Sequence, residues 1–488
     1  MNKIAIIHAP DISPHNCPYV VPPLRVGTLN SILLHSGFNP ALYDLDLEVF
    51  SKFTTPEYLE LRKYLCSNQK DIFNYLQDKR ISSNLTQIIE KFKSRLSVFK
   101  NRNIDVVLIT FSTIYRYSAI ISGLIIAKIL KEKYCCKILI GGLSQKITQL
   151  LCQFNFIDFG VVGLAESILP ILVGKASNNK NNKIISEPLN SENYIACPNF
   201  SCLNLNEYGF LDPSNKQRLL VLPYGFIRGC NCNCIFCIEP HRCSFKIKKI
   251  SEVIDDLENL INTYSINDFL FLNPHINVSE NFINDLYNAI KKSCIKIRFS
   301  DSVNIGKLKD SFSLKLLKEI GASQLIFGME TINVNAQSYI NKKFSKEKMH
   351  EILKTCKSLG IFVGLEVICG FPFETKEALV DLIEFLEKEA ELIDNVYLNK
   401  FKFLLDSSLD LFPENYNIIP LYKQDDLWDI FFNSGPELEN IPYKEMNGTN
   451  WEKIKERREN YYLTIRNALP DRLFKLKNIN EIFYEEGR

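Results

Sequence analysis

Apolar residues in the first 190 positions fall into short continuous runs separated by stretches of helical period. "KIAIIHAP", "PALYDLD", "DVVLITFS", "CKILIGG" and "FGVVG" each read as a strand, and their unbroken apolar character predicts burial on both faces. Between the first two, "LRVGTLNSILLHSGF" reads as a helix ending at Gly37, a residue suited to a left-handed cap. Alternation of this kind predicts an open, mostly parallel sheet covered by helices. Residues 50–100 read as an inserted helical piece rich in lysine and aromatics. "GKASNNKNNKIISEP" (174–188) reads as a polar loop or linker.

A second alternation begins at "RLLVLPYGFIRGC". A helix over 251–263 sets Val253, Ile254, Leu257, Leu260 and Ile261 on one face. "NDFLFLN", "IKIRFSD", "ASQLIFGME" and "IFVGLEVICG" are strands. Helices between them carry Phe282, Ile283, Leu286 and Ile290, then Leu316, Leu317 and Ile320. A further helix, capped by Ser345 and stopped at Gly360, carries Met349, Ile352, Leu353, Cys356 and Leu359. Repeated units of this length predict a full or partial βα barrel, with the chemistry in loops after the strand C-termini. From about 396 the texture turns irregular and aromatic-rich. One final helix there carries Trp451, Ile454, Tyr461, Tyr462, Ile465 and Leu469, a packing stripe. The expected division is 1–190, 215–395 and 396–488.

Composition narrows the picture without choosing a chemistry. The 488 residues are 46% hydrophobic and 23% charged, which suits two or three globular domains. A formal net charge of +2 predicts neither a nucleic-acid nor a membrane partner. "MNKIAIIHAP" carries no export signal, and the apolar run near "SAIISGLIIAKIL" is too short to span a bilayer, so the expected compartment is cytoplasmic. Of the fifteen cysteines, Cys152, Cys294, Cys356 and others like them read as small buried hydrophobes, and an odd count argues against a disulfide framework.

"RGCNCNCIFC" (228–237) is the exception, with four cysteines in eight positions. Zinc would want a second separated cysteine pair, which is not evident, although Cys243 lies nearby. A thioredoxin-type pair would use Cys234 and Cys237 but belongs at the start of a helix in a smaller domain. An iron–sulfur cluster needs closely spaced thiolates on a turning loop.

Cys230, Cys234 and Cys237 form Cys-x3-Cys-x2-Cys, with Phe236 before the last cysteine and Arg228-Gly229 before the first. This resembles the signature of radical S-adenosylmethionine (SAM) enzymes, which follows the first barrel strand. The resemblance implies that these three thiolates hold a [4Fe-4S] cluster whose fourth iron is chelated by SAM, leaving Cys232 a non-ligand. "GMET" (328–331) resembles the family's Gly-x-Glu segment on the fourth strand, and "LEVICGFPFET" its sixth strand and following turn. By that likeness Glu330 and Glu366 hydrogen-bond the SAM ribose, Lys342 meets the methionine carboxylate, and Phe236 and Ile368 border the cofactor. Asn273, in "LNPHI", stands where the family has a Gly-Gly-Glu segment that receives the methionine amine.

The front of the chain resembles the cobalamin-binding domain that precedes the barrel in one radical SAM class. "PPLRVGTLNSILLHSGF", "GG" (141–142) and "DFGVVGLAES" carry that likeness. It implies an α/β chain with a Rossmann-like front domain, a partial (β/α)6 TIM-type barrel and a small α-rich C-terminal region. Gly141, Gly142, Gly163 and Glu166 would face cobalamin, and methylcobalamin would donate a methyl group. The chain departs from the class twice. None of His8, His15, His35, His241, His275 and His350 lies in an Asp-x-His-x-x-Gly motif, and Gly-Glu-x-Glu is reduced to "GLAE".

The implied activity is radical chemistry on an unactivated carbon of a peptide or small natural product, as in maturation of ribosomally made peptides. Cobalamin-dependent C-methylation is the first reading, with electrons from a donor such as flavodoxin or ferredoxin. The alternative is cobalamin-free epimerisation with a cysteine hydrogen donor. Cys369 ends the active-site strand, but a period of two puts Glu366 and Ile368 on one face and Cys369 on the other. Cys232 and Cys243 are rival donors. A non-enzymatic zinc- or cluster-binding module is the outsider.

Overall fold

The structure is a computed structural model. It describes residues 3–10, 21–45, 63–65, 67–101, 103–111, 117–166, 168–174, 183–186, 195–211, 218–422 and 441–475. The front of the expected helical insertion and most of the expected polar linker therefore lie outside the described residues.

Strands β1 (Ile4–Ala9), β2 (Ala41–Asp44), β3 (Val106–Phe111), β4 (Lys137–Gly141), β5 (Phe159–Val162) and β6 (Ile184–Ser186) form one parallel sheet. Their order is β2-β1-β3-β4-β5-β6. Every residue of β1 and β3 is buried, as central strands of a doubly covered sheet must be. The insertion is helical where described, over Gln69–Leu76 and Ser83–Arg95. Strand β6 corrects the linker reading of 174–188. It is three residues long at the sheet edge and half-exposed, so its polar flanks hide its pairing with β5.

A short ribbon follows, β7 (Phe210–Leu211) with β8 (Arg218–Leu219). The second large sheet comprises β9 (Leu222–Tyr224), β12 (Asp268–Phe271), β13 (Arg298–Val303), β14 (Ala322–Glu330), β15 (Phe362–Cys369) and β16 (Asn395–Lys400). All neighbours are parallel and follow sequence order, and β9 and β16 do not pair with each other. The result is an open six-stranded barrel segment with helices outside. Ser279, Ser345 and Thr375 cap three of those helices through their side-chain oxygens, and Gly360 takes φ +62° after the Ser345-capped one. Between β9 and β12 runs the two-residue hairpin of β10 (Ile227–Arg228) with β11 (Lys246–Ile247).

Two expectations shift here. "LEVICG" is the fifth strand, not the sixth. The sixth is β16, which continues the barrel past 395 to Lys400; its polar, half-exposed edge residues masked it in the sequence. The described part of the C-terminal region packs against both bodies. Phe401, Phe403, Leu405, Tyr443 and Ile454 join the core beneath the first sheet, whereas Tyr461, Ile465 and Leu473 join the barrel core. Helix Trp451–Ala468 thus packs into both bodies at once. Polar contacts reinforce the junction: the Lys146 backbone N–H donates to Asp406 at 2.9 Å and its ammonium to Asp410 at 2.6 Å.

Candidate active site

The cysteine loop is closed by the β10–β11 hairpin and entered through Gly229. That residue has φ +64°, and a Cβ there would lie 2.9 Å from the carbonyl oxygens of both Cys243 and Ser244. Both the left-handed backbone and the missing side chain are required, which explains the Arg-Gly before the first cysteine. Within the loop the Cys237 N–H donates to the Cys234 carbonyl at 3.1 Å, the turn that brings those two thiols round. Burial raises the Cys234 pKa, and burial pushes Cys237 up to about 12. The Lys342 ammonium opposes both shifts, so one partly buried cation serves the two thiols.

Lys342 also donates to the Gly328 carbonyl at 2.7 Å and to Glu330 Oε1 at 2.6 Å. Gly328 makes room, since a Cβ there would sit 2.8 Å from the lysine nitrogen. Glu330 adopts φ +60° where the β14–β15 register slips, so a bulge re-aims its carboxylate. Glu366 on β15 belongs to the same group. Burial and then the Glu330 charge push its pKa up to about 8, while Lys342 and the Asn399 amide, at 3.1 Å, work the other way. Three residues far apart in sequence, Glu330, Lys342 and Glu366, therefore form one polar patch beside Cys234 and Cys237. Phe236 packs at 5.9 Å from Phe371 on the turn after β15, and Ile368 packs with the same core.

The donor set fits an iron–sulfur cluster. Three thiols stand on a turning loop, and the partly buried Lys342 favours the anionic state that such ligation requires.

Asn273 does not fit the amine-binding role. Its carbonyl oxygen accepts from Phe226 N–H at 3.1 Å and Ile227 N–H at 3.0 Å, and its amide donates to Asp301 at 2.8 Å. It is a clamp that pins the end of the first strand to the third. Replacing it by alanine strands two buried amides, at about 1–3 kcal/mol each. Asn273→Ala is expected to lower the thermal midpoint, whereas the affinity of the surviving folded fraction for SAM stays within about twofold. Calorimetric SAM titration checks this, and a selective loss of SAM affinity without loss of stability would restore the amine role.

Cys369 lies on the face where the period of two put it. It is fully buried on the helix-facing side of β15 with Leu365 and Val367, opposite Glu366 and Ile368, and burial pushes its pKa up to about 12. Cys243 contributes its backbone to the floor under Gly229. Cys232 is bound to the barrel mouth: its sulfur lies 3.5 Å from His275 Nε2 and accepts from the Asn304 amide at 3.2 Å. Its pKa is pushed down to about 4, first by a hydrogen bond with the Cys230 thiol.

At the C-terminal edge of the first sheet lies a cleft with about 820 Å³ of empty volume, open mouth included. Gly141, Gly142, Gly163 and Glu166 all line it, together with apolar Leu29, Ile32, Leu108 and Leu139. Gly142 takes φ +83° and leaves space for Arg25, which donates to the carbonyls of Phe111 at 2.7 Å and Gly142 at 3.0 Å. Sequence reading missed the far wall. Arg228 and Arg242, which bracket the cysteine loop, also line the cleft. Only Arg228 had a motif signal, as the residue before Gly229; Arg242 had none. Among the described residues, no helix is long and apolar enough to cross a membrane.

Comparison with known proteins agrees with this geometry. The Radical SAM superfamily profile matches residues 224–386. An uncharacterized methyltransferase of Pyrococcus horikoshii is 24% identical over 65% of this chain and 69% of its own. In fold, the chain is similar to the radical SAM methyltransferase TsrM of Kitasatospora setae, solved with cobalamin and a [4Fe-4S] cluster. The TM-score is 0.59 at 14% identity, covering 87% of this chain and 81% of that one. It is also similar to the cobalamin-dependent SAM radical enzyme OxsB, at TM-score 0.55 and 15% identity, covering 90% of this chain and 57% of that one. Residues 224–386, which include the cysteine loop and the Glu330–Lys342–Glu366 patch, therefore form a Radical SAM domain, in a chain whose fold is similar to that of cobalamin-dependent radical SAM enzymes.

Proposed function

We propose that the chain is a cobalamin-dependent radical SAM C-methyltransferase acting on a peptide or small natural product. One observation carries the cobalamin part: a single cleft receives side chains from the first sheet and from both ends of the cysteine loop. When bound, the cluster supplies the electron that splits SAM into methionine and a 5′-deoxyadenosyl radical, and the corrinoid supplies the methyl group.

The chain's own residues set where this happens. Cys230, Cys234 and Cys237 hold the cluster. Glu330 and Glu366 accept from the ribose hydroxyls, and Lys342, paired with Glu330, orients the methionine carboxylate. Phe236 and Ile368 wall the site against water. In the cleft, the apolar side chains suit a flat heteroaromatic base and the guanidiniums of Arg228 and Arg242 suit the phosphodiester of a nucleotide tail. The Gly141-Gly142 turn lets that tail approach the backbone closely. Electrons come from a small cytoplasmic donor such as a flavodoxin or ferredoxin, and the C-terminal region beyond β16 shapes the substrate pocket.

Uptake of hydroxocobalamin by the cluster-reconstituted protein tests the reading, with desalting before the absorption spectrum is recorded. Stoichiometric corrinoid is expected. Arg228→Ala and Arg242→Ala should each weaken it about ten- to hundredfold, the worth of one charge-assisted hydrogen bond. Cluster without corrinoid would reduce the front domain to a scaffold and overturn methyl transfer.

A further inference from the structure

Cys230, Cys232 and His275 form a second set of donor groups, which shares Cys230 with the cluster ligands. One ligand atom from each lies within 4.8 Å of the other two. A single tetrahedral ion, with metal–sulfur bonds of about 2.3 Å and metal–nitrogen bonds of about 2.0 Å, draws its ligands to within about 4 Å of one another. A four-iron cube spreads its thiolates wider than that. Small side-chain rotations therefore close this trio on one ion.

The histidine has no other task. His275 is 3% exposed, its Nε2 faces Cys232, and its Nδ1 is buried without a partner. A buried imidazole left so unsatisfied in a polar corner is the kind of group that an ion explains. Asn304, from the end of the third barrel strand, donates to the Cys232 sulfur at 3.2 Å and fixes its direction, as outer-shell donors do around metal thiolates. Asn304 is itself held, its N–H donating to Asn277 Oδ1 at 2.8 Å. The trio is thus set by three elements: the cysteine loop and the segments following β12 and β13.

We infer that the cluster-free chain binds one thiophilic divalent ion, zinc or ferrous iron, through Cys230, Cys232 and His275, with a fourth position open to solvent. Both sulfurs bind as thiolates, so any thiol proton still present leaves on binding, and there is no change of oxidation state. Because Cys230 belongs to both sets, ion and cluster exclude one another. Only this exclusion rests on the cluster assignment; the ion site itself does not. The site retains metal at the loop before the cluster is built and must yield Cys230 when it is.

The test uses the full-length chain, purified anaerobically, stripped of iron and titrated with cobalt(II). One equivalent should develop intense visible bands of tetrahedral cobalt and a thiolate charge-transfer band, both bleached by zinc. Cys232→Ala and His275→Ala should lose the tetrahedral spectrum, and Asn304→Ala should weaken cobalt binding about 10–100-fold. Cys234→Ala and Cys237→Ala should keep the spectrum while losing the cluster. Reconstitution of the wild-type loop with iron and sulfide should expel the cobalt in step with cluster formation. Because His275→Ala opens a buried cavity, His275→Gln and a circular dichroism spectrum separate lost ligation from lost fold. Tetrahedral bands surviving in Cys232→Ala, or vanishing in Cys234→Ala, would overturn the inference, as would their absence from the wild type. A cluster that forms in Cys232→Ala while wild-type cobalt bands never appear would sink this inference and leave the cluster assignment standing.

Discussion

Replacing Cys230, Cys234 and Cys237 together by alanine is expected to abolish [4Fe-4S] binding and, with it, all reductive cleavage of SAM. The loop supplies no substitute ligands, because Cys232 is committed to His275 and Asn304 at the barrel mouth. Cys232→Ala should therefore retain the cluster absorption and the yield of 5′-deoxyadenosine. The measurement is anaerobic reconstitution, iron and sulfide analysis, and chromatographic assay of 5′-deoxyadenosine after dithionite reduction. Cleavage that persists in the triple variant would overturn the cluster assignment. Cleavage lost in Cys232→Ala as fully as in the triple variant would move the ligand set by two residues.

The second large effect is on stability. Glu445, whose side chain is fully buried, pairs with the Arg457 guanidinium and accepts from the Phe373 N–H at 3.1 Å. Arg457 in turn donates to the Phe371 carbonyl at 3.1 Å. This pair joins helix Trp451–Ala468 to the turn after β15, whose Phe371 packs on Phe236 beside Cys237. Removing one partner leaves a buried charge uncompensated, which costs about 3–5 kcal/mol. Glu445→Ala should lower the urea midpoint accordingly and reduce cluster occupancy as the turn loosens. Glu445→Gln should recover part of the loss, since it can still accept from Phe373. A wild-type midpoint for Glu445→Ala would show the junction to be carried by apolar contacts alone.

How far the chain could be read in advance depended on the range of each interaction. Buried central strands such as β1 and β3 announced themselves by apolar continuity, and the helix caps at Ser345 and Gly360 by their residue types. Edge strands β6 and β16 did not, because an edge position removes the two-sided burial that makes a strand visible. The cysteine spacing was local and decisive. Asn273 illustrates the opposite case: its position matched a ligand-binding segment, yet its amide is spent on Phe226, Ile227 and Asp301, none of which the local sequence couples to it.

The sequence by itself determined the two αβ bodies, their helices and most strands, and the thiol loop between a first strand and its helix. These follow from backbone periodicity and residue chemistry within about a dozen positions. Tertiary structure alone decided that Arg228 and Arg242 share a cleft with Gly142 and that Lys342 serves two thiols and Glu330. It also decided that Cys232 meets His275, 43 positions away. Each of those outcomes depends on which way a bulge, a hairpin or a turn aims a side chain across the gap between strands, and no local periodicity encodes that direction.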